Sequence, residues 1–350
     1  MKVHQMLPTF SPSDAIGNEV ILIQRILRER GYESEIFCES HNTDILAHHY
    51  SEYPREFDRD RILIYHHSIG SNIAEFIKNL SDKKLMIYHN ITPAHYFSGV
   101  NDHLAYLLEK GRQELYDISS SITFAVGDSE YNRQELEDAG YSHTVLLPIL
   151  LDFTAYPDPC MGTFKRFSDG WTNILFVGRI SPNKAYEDII KTFNYYKGIN
   201  PNSRLLLPGS YEGTELYYGS LQELIERLHL TDVHFPGKVS FEELVAYYKC
   251  ADIFLCMSEH EGFNVPIVES MYYEVPVIAY NTCAIPYTLG DAGILINTKE
   301  FLIIAELINI VILNKKMKMR IIDKQKERLS EYFETREKFN QIINYFLEEI

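Results

Sequence analysis

Several features that would place a chain in a large protein class are missing from this one. The 350 residues include five cysteines, Cys38, Cys160, Cys250, Cys256 and Cys283, an odd number without a C-x-x-C pair. That spacing supports neither a disulfide framework nor a zinc site, and it fits a reducing compartment. Positive charge is scarce: 33 Lys plus Arg stand against 49 Asp plus Glu, a formal charge of -16. Affinity for nucleic acid comes mostly from cations on phosphates, so no nucleic-acid partner is expected. An anionic ligand would need a local cationic pocket or backbone N–H groups. No long apolar stretch follows Met1-Lys2-Val3-His4-Gln5, so no signal peptide is expected. The most apolar run, Phe301–Leu313, contains Glu306 and Asn309 and falls short of the roughly 20 residues a spanning helix needs. A soluble, cytoplasmic protein is the expectation. No G-x-G-x-x-G follows the first strand, which argues against a nicotinamide dehydrogenase.

What is present is an alternation of short apolar runs and helical patterns along the whole chain. Strands are predicted at 3–7, 34–37, 62–65, 85–88, 122–126 and 145–147, then at 173–177, 204–207, 233–235, 253–256, 277–279 and 293–296. Helical patterns lie between them, for example at 19–30, 101–116, 130–138, 186–196, 215–228, 241–248 and 267–273. Near-continuous apolar strands alternating with helices indicate parallel sheets covered on both faces. Pro157, Pro159, Gly162, Ser168 and Gly170 cluster before the strand at Asn173 and read as a linker. Two domains follow: residues 1–160, joined by a C-terminal helix at about 335–350, and residues 170–334. Two doubly wound domains would hold ligand at the carboxyl ends of their strands, in a cleft between them. The amphipathic stretch 339–350 needs a groove for Phe339, Ile342, Ile343, Phe346 and Leu347, and the first domain is expected to supply it.

Two segments could carry chemistry. Phe176-Val177-Gly178-Arg179-Ile180-Ser181-Pro182-Asn183-Lys184 places two cations at a strand's carboxyl end. Such a pair suits a diphosphate and the charge that grows when it leaves; the plain alternative is a pair of solvated loop cations. Ser258-Glu259-His260-Glu261-Gly262-Phe263-Asn264-Val265-Pro266-Ile267-Val268-Glu269 runs from a strand through a turn into a helix, with Pro266 near the first helical position. The N–H groups at that helix start form an anion site, and the ionised Glu261 and Glu269 can accept hydrogen bonds from sugar hydroxyls.

Arg179 and Lys184 with Glu261 and Glu269 resemble the R-x4-K and E-x7-E signatures of retaining glycosyltransferase family 4, whose fold is GT-B. The similarity covers residues 173–296 well and the first half more loosely. It implies that Arg179 and Lys184 hold the diphosphate of a nucleotide-sugar donor, that Glu261 contacts the transferred sugar, and that Glu269 contacts the ribose. The backbone of Gly262, Phe263, Asn264 and Val265 would line the donor site. Asn264 departs from the family, which has glycine there. His89, after the strand 85–88, resembles the family histidine that faces the donor sugar, with His66, His67 and His95 as competing candidates. Asp14-Ala15-Ile16-Gly17-Asn18 resembles a weakened glycine-rich first loop in which Gly17 approaches the diphosphate or the acceptor.

The resemblance implies no cofactor and no metal, with a glycan or lipid-linked hydroxyl as acceptor and mannose transfer into a surface polysaccharide as the preferred reading. Asp58-Arg59-Asp60 matches the metal-binding Asp-x-Asp of another glycosyltransferase fold, but it precedes a strand and reads as a solvated entry. Lys315, Lys316, Lys318 and Arg320 after the apolar run 301–313 allow peripheral contact with an anionic membrane; a core-packing helix with a basic end fits better. A nucleotide-sugar epimerase or phosphorylase on the same fold, or an inactive partner subunit, are the alternatives.

Overall fold

The structure is a computed structural model, and it describes residues 1–12, 14–41, 43 and 45–348. The last two residues of the stretch 339–350 lie outside that description. The chain forms two compact units.

The first unit comprises Met1–Ser98, Asp102–Asp152 and the chain from Tyr332 onward. Its sheet contains β1 (Lys2–Phe10), β2 (Ile36–His41), β3 (His48–His49), β4 (Arg61–His67), β5 (Lys83–Tyr88), β6 (Phe124–Gly127) and β7 (Thr144–Leu146). All are parallel, in the order β3-β2-β1-β4-β5-β6-β7. Successive strand residues point to opposite faces, and both faces are buried. Leu63, Tyr65, Met86 and Tyr88 enter one apolar cluster, whereas Ile62, Ile64, Leu85 and Ile87 enter another.

Helix Ala15–Glu29 buries Val20, Ile23 and Leu27 at helical spacing, and Asp14 caps it by accepting the Gly17 N–H at 2.8 Å. Helix Glu130–Asp138 is capped by Ser129, whose hydroxyl accepts from Asn132 N at 3.1 Å. Helix Thr335–Glu348 lays Phe339, Ile342, Ile343 and Phe346 against Val3, Ile23, Ile64 and Val126. Helix Thr335–Glu348 is therefore part of the first unit's core.

The second unit comprises Gly99–Asn101 and Phe153–Glu331. Its strands are β8 (Thr172–Leu175), β9 (Ser203–Pro208), β10 (Val233–Gly237), β11 (Ile253–Cys256), β12 (Val277–Tyr280) and β13 (Ile294–Ile296). They too are parallel, ordered β10-β9-β8-β11-β12-β13.

The unit begins at Phe153, earlier than the linker read from the sequence. Phe153 stacks on Tyr272 with ring centroids 4.4 Å apart, which fixes residues 153–160 to the second unit. The linker region also contains a helix, Met161–Phe167. Its Phe167 is buried beside Tyr247 and His234, so aromatic packing overrides the glycine and proline punctuation. Among the described residues no helix is long and apolar enough to cross a membrane.

Candidate active site

In a doubly wound sheet the ligand crevice lies outside the carboxyl ends of the strands, where the strand order reverses. In the second unit that point falls between β8 and β11, and both sequence motifs sit there. The loop after β8 is anchored where Tyr186 OH donates to Gly178 O at 2.6 Å. A Cβ on Gly209 would stand 1.7 Å from Gly178 O, so the backbones of these loops touch. Asn183 ties the two motif loops together: its backbone O accepts from Glu259 N at 2.8 Å, and its Nδ2 donates to His260 O at 3.2 Å.

That tie brings Lys184 Nζ to 2.5 Å from Glu261 Oε2. Glu261 is 5% exposed, and its Oε1 is buried without a hydrogen-bond partner. Arg179 donates to Glu212 O at 2.9 Å, and burial draws its guanidinium below its ordinary range, against the fields of Glu212 and Glu215. Asn101 Nδ2 donates to Gly213 O at 2.8 Å beside it.

The turn after β11 ends in Asn264, which caps helix Val265–Tyr272 in the left-handed conformation, φ 75°. Its Oδ1 accepts from Ile267 N at 3.3 Å and its Nδ2 points to Cys256 Sγ at 3.4 Å. Left-handed backbone favours glycine, and asparagine is among the few residues that tolerate it. Phe263 is buried, its carbonyl held by Thr288 Oγ1 at 2.5 Å.

Glu269 lies within that helix and is buried. Its Oε2 accepts from Tyr248 OH at 2.6 Å and its Oε1 from Tyr156 OH at 2.9 Å. Burial raises its carboxyl above the ordinary range, and the two tyrosine bonds oppose that rise. Sequence reasoning missed Tyr156 and Tyr248 because their contacts with Glu269 are long-range. Asn183 stood within a quoted motif, but the spacing gave no sign of its bridging role.

The first unit's candidates are arranged differently. Gly17 sits where the chain passes over the helix start, and a Cβ there would lie 1.8 Å from Ser11 O. Its N–H is taken by Asp14. The His89 side chain is 1% exposed. Its Nε2 is 3.0 Å from His66 Nδ1, and its Nδ1 is 3.5 Å from Asp128 Oδ2. The ring is thus turned into the protein. Asp58 and Asp60 remain at the entry to β4, with Asp58 3.4 Å from Lys2 Nζ.

The two parallel Rossmann-like sheets define the GT-B fold. Anabaena HepE, solved in complex with UDP and glucose, aligns over the whole of both chains with a TM-score of 0.77 at 16% identity. Sucrose-phosphate synthase from Thermosynechococcus elongatus does so with a TM-score of 0.76 at 15% identity.

Residues 165–328 match the family described as Glycosyl transferases group 1. Among curated proteins, the O-antigen chain mannosyltransferase B of Escherichia coli is 27% identical over 146 residues, 41% of this chain and 38% of the relative. The capsular polysaccharide biosynthesis glycosyltransferase CapM of Staphylococcus aureus is 28% identical over 193 residues, 53% and 49%. The chain thus spans less than half the length of these relatives.

Proposed function

We propose that this chain is a retaining glycosyltransferase of the family 4 type. It moves a hexose from a nucleotide sugar, GDP-mannose or a UDP-hexose, to a hydroxyl of a glycan or lipid-linked acceptor in surface polysaccharide synthesis. The observation that carries the reading is the Lys184–Glu261 pair at the β8/β11 switch point, inside the segment that matches the group 1 family. The named mannosyltransferase and capsular relatives support the mannose preference and the polysaccharide setting; the solved neighbour with UDP and glucose keeps a UDP-hexose open.

In this reading Arg179 and Lys184 hold the diphosphate and stabilise its charge on departure, so no metal is assigned there. The unpartnered Oε1 of Glu261 accepts from a hydroxyl of the transferred sugar. Glu269 keeps lone pairs beyond its two tyrosine bonds for the ribose hydroxyls. The backbone of Gly262, Phe263, Asn264 and Val265 lines the sugar. Gly17 serves by close backbone approach, and His89 by its backbone, since both ring nitrogens face inward.

The bond from the anomeric carbon to phosphate breaks on the face where the bond to the acceptor oxygen forms, and the acceptor proton passes to the leaving phosphate. The protein binds, orients and excludes water. A lipid-linked acceptor would bring the exposed stripe Leu302, Ile303, Ile310 and Leu313, followed by exposed Lys315 and Lys316, to an anionic surface at the inner face of the membrane.

The test is transfer from a panel of nucleotide sugars, after a thermal-shift screen in which a donor at 100 times its Kd stabilises by about 2.7 kcal/mol. Net transfer with the donor's anomeric configuration, and no added divalent ion, is expected. Formation of an epimer, or cleavage that needs inorganic phosphate, would replace this reading with the epimerase or phosphorylase alternative. Donor binding without turnover would favour the inactive-partner reading.

A further inference from the structure

Glu269 is 7% exposed, and among the described residues no lysine, arginine or histidine pairs with it. A carboxylate removed from water without a cation is costly unless hydrogen bonds replace the lost solvation. Two phenols supply those bonds. Tyr248 OH donates to Oε2 at 2.6 Å and Tyr156 OH donates to Oε1 at 2.9 Å. A carboxylate oxygen accepts through two lone pairs, so each oxygen of Glu269 keeps one.

The two phenols come from separate parts of the second unit. Tyr248 lies on helix Phe241–Cys250 and is 1% exposed, its ring stacked on Tyr273 with centroids 5.4 Å apart. Tyr156 lies in the segment that opens the unit, where its ring meets Phe153 at 5.0 Å and Phe241 at 4.6 Å. Aromatic packing sets both rings, and neither hydroxyl has a second partner among the described residues. Each is committed to Glu269.

The protons stay on the phenols. Burial, and then the charge of Glu269, holds Tyr248 and Tyr156 above the ordinary tyrosine range. Burial also raises Glu269, and the bonds from Tyr248 and Tyr156 oppose that rise. The other titratable group that faces Glu269 is Tyr273, at the end of its own helix; Tyr272 faces Tyr156. A protonated Glu269 would turn one oxygen into a donor. The phenols keep the carboxylate an acceptor at both oxygens.

We infer that Tyr156 and Tyr248 are positioning residues for the nucleotide donor: together they fix the Glu269 carboxylate as a double acceptor for two vicinal hydroxyls of a ribose. The inference rests on the donor reading proposed above, in which Glu269 meets the ribose. Two neighbouring oxygens with one lone pair each match a vicinal pair of hydroxyls, which a 2′-deoxyribose lacks. Loss of either phenol would free the carboxylate to rotate and to take up a proton, with the diphosphate contacts of Arg179 and Lys184 untouched.

The test is calorimetric titration of the full chain with UDP and GDP, and with their 2′-deoxy forms, in wild type, Tyr156→Phe, Tyr248→Phe and Tyr273→Phe. Each replacement keeps its ring and removes one hydroxyl. Tyr156→Phe and Tyr248→Phe should each weaken the preferred ribonucleotide by about tenfold at neutral pH. Relative to wild type, that loss should grow toward about pH 6 and shrink toward about pH 9, because a carboxyl stripped of a donor holds its proton to higher pH. Wild type should bind the 2′-deoxy form more weakly, and the same two variants should lose less with it. Tyr273→Phe, whose hydroxyl does not bond Glu269, should match wild type throughout. Wild-type affinity in both variants, equal wild-type affinity for the ribo and deoxy forms, or a loss equal for both forms and at every pH overturns the inference and leaves the donor reading standing. A wild-type chain that binds neither nucleotide overturns the donor reading itself, and the inference with it. Should one variant fail to fold, the other decides.

Discussion

The two units solve the same topology and spend its switch point differently. In the second unit the loops after β8 and β11 present Lys184, Arg179 and Glu261, with one Glu261 oxygen unpartnered. In the first, the groups at the carboxyl ends of β4, β5 and β6 turn inward, and His66, His89 and Asp128 bond or face one another under 9% exposure or less. A shared fold therefore does not set the chemistry at its strand ends; the identity of the few residues after each strand does.

The contrast can be broken most strongly through the first unit's packing. Phe339→Ala should destabilise that unit by about 3–5 kcal/mol, while the second unit, which does not share that cluster, keeps its own transition in calorimetry. A single transition displaced as a whole would show that the units unfold as one. The second unit's chemistry is reached through Arg179→Ala, which should lower kcat/KM by about 10²–10³-fold with native circular dichroism; an unchanged rate would remove Arg179 from the diphosphate. Smaller effects separate the two glutamates. Losing a charged hydrogen bond costs about 1.5–3 kcal/mol, roughly ten- to a hundred-fold. Glu261→Gln should lower kcat with donor KM little changed, and Glu269→Gln should raise donor KM with kcat mostly kept. The reverse pattern would exchange their roles. The smallest effect is expected for Asn264→Gly, which loses a cap worth a few tenths of a kcal/mol relative to glycine and relaxes the left-handed backbone. A melting temperature lowered by many degrees would mean that the Asn264 contact with Cys256 carries more than the cap.

Much of the fold was legible in the sequence because buried parallel strands leave unbroken apolar runs, and Ile253–Cys256 and Leu205–Leu207 are such runs. The positions of Arg179, Lys184 and Glu261 were legible for a related reason: each follows a strand by a short, countable distance, and Glu269 follows within the next helix. Helices Met161–Phe167 and Ile73–Lys78 were not. They are too short for a helical period to show, and the first hides among glycines and prolines. The partners of Glu269 were equally hidden, since Tyr156 and Tyr248 lie 113 and 21 residues away. Inward rotation of the His89 ring could not be read at all, because it depends on Gln5 and His66 from two other strands.

Helix Thr335–Glu348 gives the molecule an order of birth. Its four core side chains complete the sheet that begins at Lys2, yet during synthesis it leaves the ribosome after every strand of the second unit. The first unit's strands must wait, with part of one face still uncovered beside helix Ala15–Glu29, for some 180 residues of intervening chain to be made, at about 5–20 residues per second a delay of roughly ten to forty seconds. The second unit runs without such a gap from Phe153 to Glu331 and can close once that last helical stretch emerges. For this chain the half translated second is the half free to fold first, and the nascent first half is where a chaperone would be needed.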